Sequence, residues 1–319
     1  MITNSMYTIK QPSRIIIGNN SVSEYKFSKK SLLITSSGAD KRDWISMLNY
    51  KPNLIFDDVE PNPSIDTVNR IIQKFQSHDF STVIGLGGGS VLDVAKFVAS
   101  KLNKFKILIP TNFGSGSEVT RISVLKINGQ KTSFHDDSLF ADIAIIDSDF
   151  LKNTPKEIIN YSAIDACAQC TEAFDSKLSN DYTRFLGEQA FSYLEDGILN
   201  NNNEKLVMGS LLSGLSFGNA STTLGHALSY VFSNEGISHG HALSFTTTIA
   251  HEFNKSVFYQ RFKTIVQQLN IPKISLKQDL ELASELIMKD RKHINNNPVS
   301  VTKNEIMSLL KRINDEQVF

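Results

Sequence analysis

Asp165 and Gln169 stand four residues apart in a segment whose apolar spacing predicts helix. That spacing puts a carboxylate and an amide oxygen on one helical face. His226 and His239 follow downstream, thirteen residues apart, and two imidazoles can complete a four-point cage with the oxygen pair. Oxygen and imidazole donors together suit Fe(II), Mn(II) or Zn(II). Glu172, seven residues after Asp165, falls on the same face and reads as a hydrogen-bonded or ion-paired neighbour of the cage. Upstream, Gly87-Gly88-Gly89-Ser90 is a turn of the kind that cradles phosphate. A cation cage and a nucleotide turn in one chain point to metal-assisted redox chemistry on a small oxygenated molecule.

Those residues need elements to hold them. Short apolar, β-branched runs occur at 14–17, 31–35, 53–56, 82–86, 106–109 and 143–146. Helical patterns at 64–76, with Ser64 as N-cap, and at 90–102 lie between them. Strands alternating with helices predict a mostly parallel, doubly wound sheet. Beyond 155 the signals are helical, at 162–174, 183–194, 205–217, 259–269, 276–288 and 303–313. The expected division is an α/β dinucleotide-binding domain at 1–152 and an all-α metal-binding and substrate domain at 153–319.

The run 82–86 is a buried strand that ends in three glycines, after which Ser90 can cap a helix with Asp93 in its first turn. Glycine lets the backbone approach a ligand closely and permits positive φ. The spacing is not G-x-G-x-x-G. A second loop, Pro110-Thr111-Asn112-Phe113-Gly114-Ser115-Gly116-Ser117-Glu118, leaves the next strand at the same sheet edge. Open α/β sheets bind ligands at that edge.

The bulk numbers narrow the function. The 319 residues carry 33 Lys and Arg against 33 Asp and Glu, so no basic excess favours nucleic acid. No apolar run suits a membrane span, and residues 1–6 do not resemble a signal peptide. Cytoplasmic localisation is expected, and a homodimer is compatible with the sequence. The two cysteines, Cys167 and Cys170, read as small buried thiols. His78, His135 and His293 lie in polar stretches and are expected to face solvent; His251, which could lie near the site, reads as a hydrogen-bonded structural histidine rather than a ligand.

Four segments in order carry a resemblance: 87–96, 110–120, 165–172 and His226 with His239-Gly240. The chain resembles the iron-containing (group III) alcohol dehydrogenases, from Pro12 near its start to Asn297-Pro298 near its end. The resemblance implies a dehydroquinate synthase-like architecture and a divalent metal, with Fe(II) expected and Zn(II) the alternative. Asp165, His226 and His239 match metal ligands, and Gln169 stands where the family usually has histidine. Gly87, Gly88, Gly89, Ser90 and Asp93 would face NAD or NADP, with Thr111, Asn112 and Ser117 lining the same pocket and Lys131 nearby. Serines 36 and 37 replace the acidic residue of NAD-preferring relatives, which permits NADP.

Three departures accompany it. Besides Gln169, the loop between His226 and His239 is one residue shorter, and Tyr230 replaces a second histidine. Gln169, His226-Ala227-Leu228-Ser229-Tyr230 and Arg121 together resemble the phosphonoacetaldehyde reductase branch. The implied reaction is NAD(P)H-linked reduction of a small aldehyde, best matched by phosphonoacetaldehyde. Tyr230 would donate to the substrate oxygen and Arg121 would bind the anion. Oxidation of a sugar-acid alcohol, a dehydroquinate synthase-like lyase and a nucleotide-binding regulatory protein without catalysis remain alternatives.

Overall fold

Six apolar runs form one sheet; those at 31–34, 82–87 and 143–146 are buried at every residue, while the edge run at 14–17 is exposed at Arg14 and Ile17. The protein is described by a computed structural model at residues 6–152, 154–316 and 318. It divides into two units, Lys10–Pro155 and Lys156–Phe319, and residues 6–9 group with the second. The division falls three residues beyond the expected 152.

In the first unit the elements are β1 (Arg14–Ile17), α1 (Ser21–Glu24), β2 (Ser31–Ile34), β3 (Leu54–Phe56), α2 (Ile65–Phe75), β4 (Thr82–Gly87), α3 (Gly89–Lys101), β5 (Phe105–Pro110), β6 (Ile122–Ile127), β7 (Gln130–His135) and β8 (Ile143–Ile146). The sheet is wholly parallel in the order β1-β8-β5-β4-β2-β3. The chain reverses its direction of travel across the sheet between β2 and β4. The carboxyl end of β4, where the glycines sit, is therefore beside the topological switch point. Ser64 caps α2 as expected, accepting from the Thr67 N–H.

The antiparallel hairpin β6–β7 was not among the expected elements. Its turn is Asn128-Gly129, with φ of 50° and 79°, the left-handed pair of a type I′ turn. The hairpin and the loop before it are pinned to α3. Asp93 accepts from Ser117 Oγ at 2.6 Å and from the Val124 N–H at 2.9 Å. Fully buried Lys96 donates to the carbonyls of Ser117, Thr120 and Ile122.

The second unit is helical: α4 (Lys156–Asp175), α5 (Asp181–Leu199), α6 (Asn203–Ala220), α7 (Leu224–Asn234), α8 (His239–Asn254), α9 (Tyr259–Gln268), α10 (Leu280–Lys289), α11 (Arg291–Asn296) and α12 (Lys303–Asn314). Helices α4, α7 and α8 pack on one another, and α11 packs on α7. The approach of α8 to α4 is close enough to require glycine, since a Cβ on Gly240 would lie 2.0 Å from the Tyr161 carbonyl oxygen. No helix among the described residues is long and apolar enough to cross a membrane.

Candidate metal centre and dinucleotide turn

Helix α4 carries Asp165, Gln169 and Glu172 on one face, α7 carries His226 and Tyr230 one turn apart, and α8 begins with His239. Their packing brings one donor atom each from Asp165, His226 and His239 within 4.8 Å of one another. His226 Nε2 and His239 Nε2 lie 3.7 and 3.8 Å from Asp165 Oδ1. Such spacing suits donors around a common ion.

The hydrogen bonds orient this cage. Buried Glu172 receives His226 Nδ1–H at 2.7 Å and the N–H groups of Thr223 and His226. With Nδ1 committed, Nε2 presents its lone pair to the cage. Burial opposes ionisation of Glu172, but His226 and the Thr223 N–H outweigh it and hold the carboxyl below its usual range. Burial also opposes a charged His226, yet Glu172 and Asp165 raise it to about 9. The two carboxylates thus favour positive charge at the cage.

Gln169 is 5% exposed and donates Nε2–H to Asp165 Oδ1 at 2.9 Å. Its buried Oε1 has no hydrogen-bond partner among the described residues. A buried acceptor without a donor is costly, and a cation removes that cost. The donor set of one carboxylate, two imidazoles and an unpartnered amide oxygen fits a divalent ion.

Tyr230 is half-buried, and its ring stacks on His239 with centroids 6.1 Å apart. The expectation that His293 faces solvent is overturned. It is 5% exposed, because α11 packs on α7 and Asp290 holds its Nδ1 at 2.6 Å. The Asp290–His293 spacing of three residues is the signal that marks such a pair. His251 is buried and bonds Thr171 Oγ1 at 2.8 Å, while His78 and His135 are exposed. Cys167 and Cys170 are free, buried thiols.

In the other unit, the glycine turn differs from expectation in detail. Helix α3 starts at Gly89, Gly88 is its N-cap, and no side chain caps it; Ser90 instead accepts from the Asn62 N–H at 3.3 Å. Gly88 has a φ of −75°, so positive φ is not the reason for glycine. Space is: a Cβ there would lie 2.8 Å from Asn112 Nδ2, and one on Gly89 would lie 2.8 Å from Ser115 Oγ. Thr111 donates its N–H to Gly87 O at 3.1 Å, fastening the two loops together. First-turn N–H groups with no side-chain cap, walled by Asn112 and Ser115, fit a pyrophosphate. Asp93 and Ser117 bond each other and pin the second loop, and Lys131 stands on β7 opposite Lys126. Thr35 spends its hydroxyl on the Leu86 carbonyl, leaving Ser36 and Ser37 at the end of β2. Arg121, partly exposed, donates Nη1–H to Asp137 at 2.9 Å.

Comparison with known proteins bears on both units. The family described as iron-containing alcohol dehydrogenase matches residues 12–148, and its C-terminal counterpart matches residues 159–289. The 4-hydroxybutyrate dehydrogenase of Clostridium kluyveri is 32% identical over 225 residues, covering 61% of each chain. A 1-propanol dehydrogenase of Salmonella typhimurium is 31% identical over 220 residues, covering 64% of this chain and 60% of that one. The matches thus span about three fifths of these relatives' length. An iron-containing alcohol dehydrogenase structure from Thermotoga maritima aligns with a TM-score of 0.87 at 23% identity, over 97% of this chain and 100% of that one. The parallel sheet followed by a helical domain is the fold this chain shares with that structure.

Proposed function

This chain belongs to the iron-containing alcohol dehydrogenase family, and we propose that it interconverts a small aldehyde and its primary alcohol using NAD(P)H and a bound divalent metal. The observation that carries this reading is the cage of Asp165, His226 and His239 with the unpartnered Gln169 oxygen beside it. Reduction of an aldehyde needs a hydride donor and a means of polarising the carbonyl. The uncapped start of α3 supports the first need and the cage supports the second.

Asp165, His226, His239 and Gln169 Oε1 would hold a divalent ion, which would supply Lewis acidity toward the carbonyl oxygen. Glu172 keeps His226 in the tautomer that offers Nε2. Tyr230 donates its hydroxyl hydrogen to the substrate oxygen, and the neutral Gln169 leaves the cage more cationic than a second carboxylate would. Gly88 and Gly89 admit the pyrophosphate to the N–H groups of α3. Serines 36 and 37, with no acidic side chain there, accommodate NADP as well as NAD.

For the substrate, the reading is an anionic aldehyde, with phosphonoacetaldehyde as the best single candidate. Gln169, Tyr230 and Arg121 support it, and one relative is named for the anionic alcohol 4-hydroxybutyrate. Arg121 uses a single nitrogen on Asp137, which keeps further guanidinium donors for oxyanions. The 1-propanol dehydrogenase relative favours the rival reading, a neutral aldehyde. Arg121→Ala should lower kcat/KM for phosphonoacetaldehyde roughly 10- to 150-fold, the worth of a charge-assisted bond, and leave propanal little changed. Equal losses on both substrates would show Arg121 to be structural. A wild-type preference for propanal would establish the neutral reading.

A further inference from the structure

Four side chains around the cage close a ring of aromatic contacts. His239 stacks on Tyr230 at 6.1 Å, and Tyr230 meets His293 at 5.7 Å with planes 65° apart. His293 lies nearly parallel to His226 at 6.3 Å, and His226 meets His239 at 5.4 Å with planes 69° apart. Three of these rings come from α7 and α8; the fourth comes from α11, beyond residue 289 where the family match ends. The donor atoms gathered within 4.8 Å of one another are those of Asp165, His226 and His239, and His293 stands beside that group. Its Nδ1 is fixed by Asp290, which also accepts from the His293 backbone N–H and caps α11. A buried imidazole tied to its own helix start is held as a rigid wall, and it contacts both a cage histidine and Tyr230.

We infer that His293 is a positioning residue of the cation cage, setting the ring planes of His226 and Tyr230 through aromatic contact. This rests on the metal-dependent reading above. Neighbours that orient a metal-binding imidazole commonly govern affinity by roughly 10–100-fold. Glu172 fixes the tautomer of His226 and restrains its ring at Nδ1, in the ring plane. A nearly parallel ring against its face restrains tilt out of that plane.

Co(II) titration of metal-free protein tests it, read both as affinity in chelator competition and as the visible absorption of the bound ion. His293→Leu keeps apolar bulk and removes the ring; Co(II) should bind roughly 10–100-fold more weakly, with a changed spectrum. His293→Phe keeps the ring and should restore wild-type affinity and spectrum. Unchanged binding and spectrum in His293→Leu would overturn the inference. So would a His293→Phe variant that is folded by circular dichroism yet binds as weakly as metal-cage mutants. Failure of the wild-type protein to bind Co(II) would overturn the cage itself, and this inference with it.

Discussion

Replacing His226 with alanine is expected to strip the metal and abolish turnover. Even disturbing the partner of a metal-binding histidine costs roughly 10–100-fold in affinity, and this change removes the donor itself. It also leaves Glu172 buried without its main counter-charge. Breaking a buried pair from one side typically costs about 3–5 kcal/mol, so the variant should melt at a lower temperature. His239→Ala separates the two effects. That side chain is 33% exposed, against 6% for His226, so metal should be lost with a smaller loss of stability. Metal analysis and thermal melts of both variants are the check. Full occupancy in His226→Ala would remove His226 from the centre.

Gly88→Val should abolish cofactor binding while the protein still folds. The added Cβ meets Asn112 Nδ2 at 2.8 Å, but Asn112 is half-buried and its side chain can swing away. The cost to the fold is then of the order of 1–3 kcal/mol, as for other overpacked sites. The branched side chain meanwhile occupies the approach to the first-turn N–H groups of α3. Losing two charge-assisted bonds to pyrophosphate corresponds to at least roughly 100-fold in affinity. Fluorescence titration with NADH and NADPH gives the result. Wild-type affinity in a folded Gly88→Val protein would make the glycines a tight turn and nothing more.

Periodicity located the sheet because parallel strands buried on both faces are continuous apolar runs, and the six runs coincide with six strands to within a residue or two. Helix α4 begins at Lys156, six residues before the expected start at 162, because its first residues, Lys156, Glu157 and Ile158, are exposed and only Ile159 of the first turn is buried, which hides the apolar period there. The hairpin was legible in principle. Asn128-Gly129 is a strong turn signal, but β7 is polar and β6 buries Ser123 with Leu125 while its other apolar residues stay half-exposed, so hydrophobic alternation does not mark the pair. Spacing within one helix brought Asp165, Gln169 and Glu172 together on paper. The contribution of His293 could not be read that way, since it depends on α11 packing against α7 some sixty residues upstream. Asp93 illustrates the converse: a motif residue beside the nucleotide turn whose two carboxylate oxygens are used to fasten the neighbouring loop.

A divalent ion in the Asp165–His226–His239 cage is proposed to serve NAD(P)H-linked aldehyde reduction. The most direct test is metal content and turnover on the same anaerobically purified sample, before and after chelation and after adding back Fe(II) or Zn(II). The expected result is about one ion per chain, NAD(P)H oxidation only in the presence of an aldehyde, loss of both on chelation and recovery on reloading. Aldehyde-dependent NAD(P)H oxidation that persists unchanged in the fully metal-free protein would contradict it.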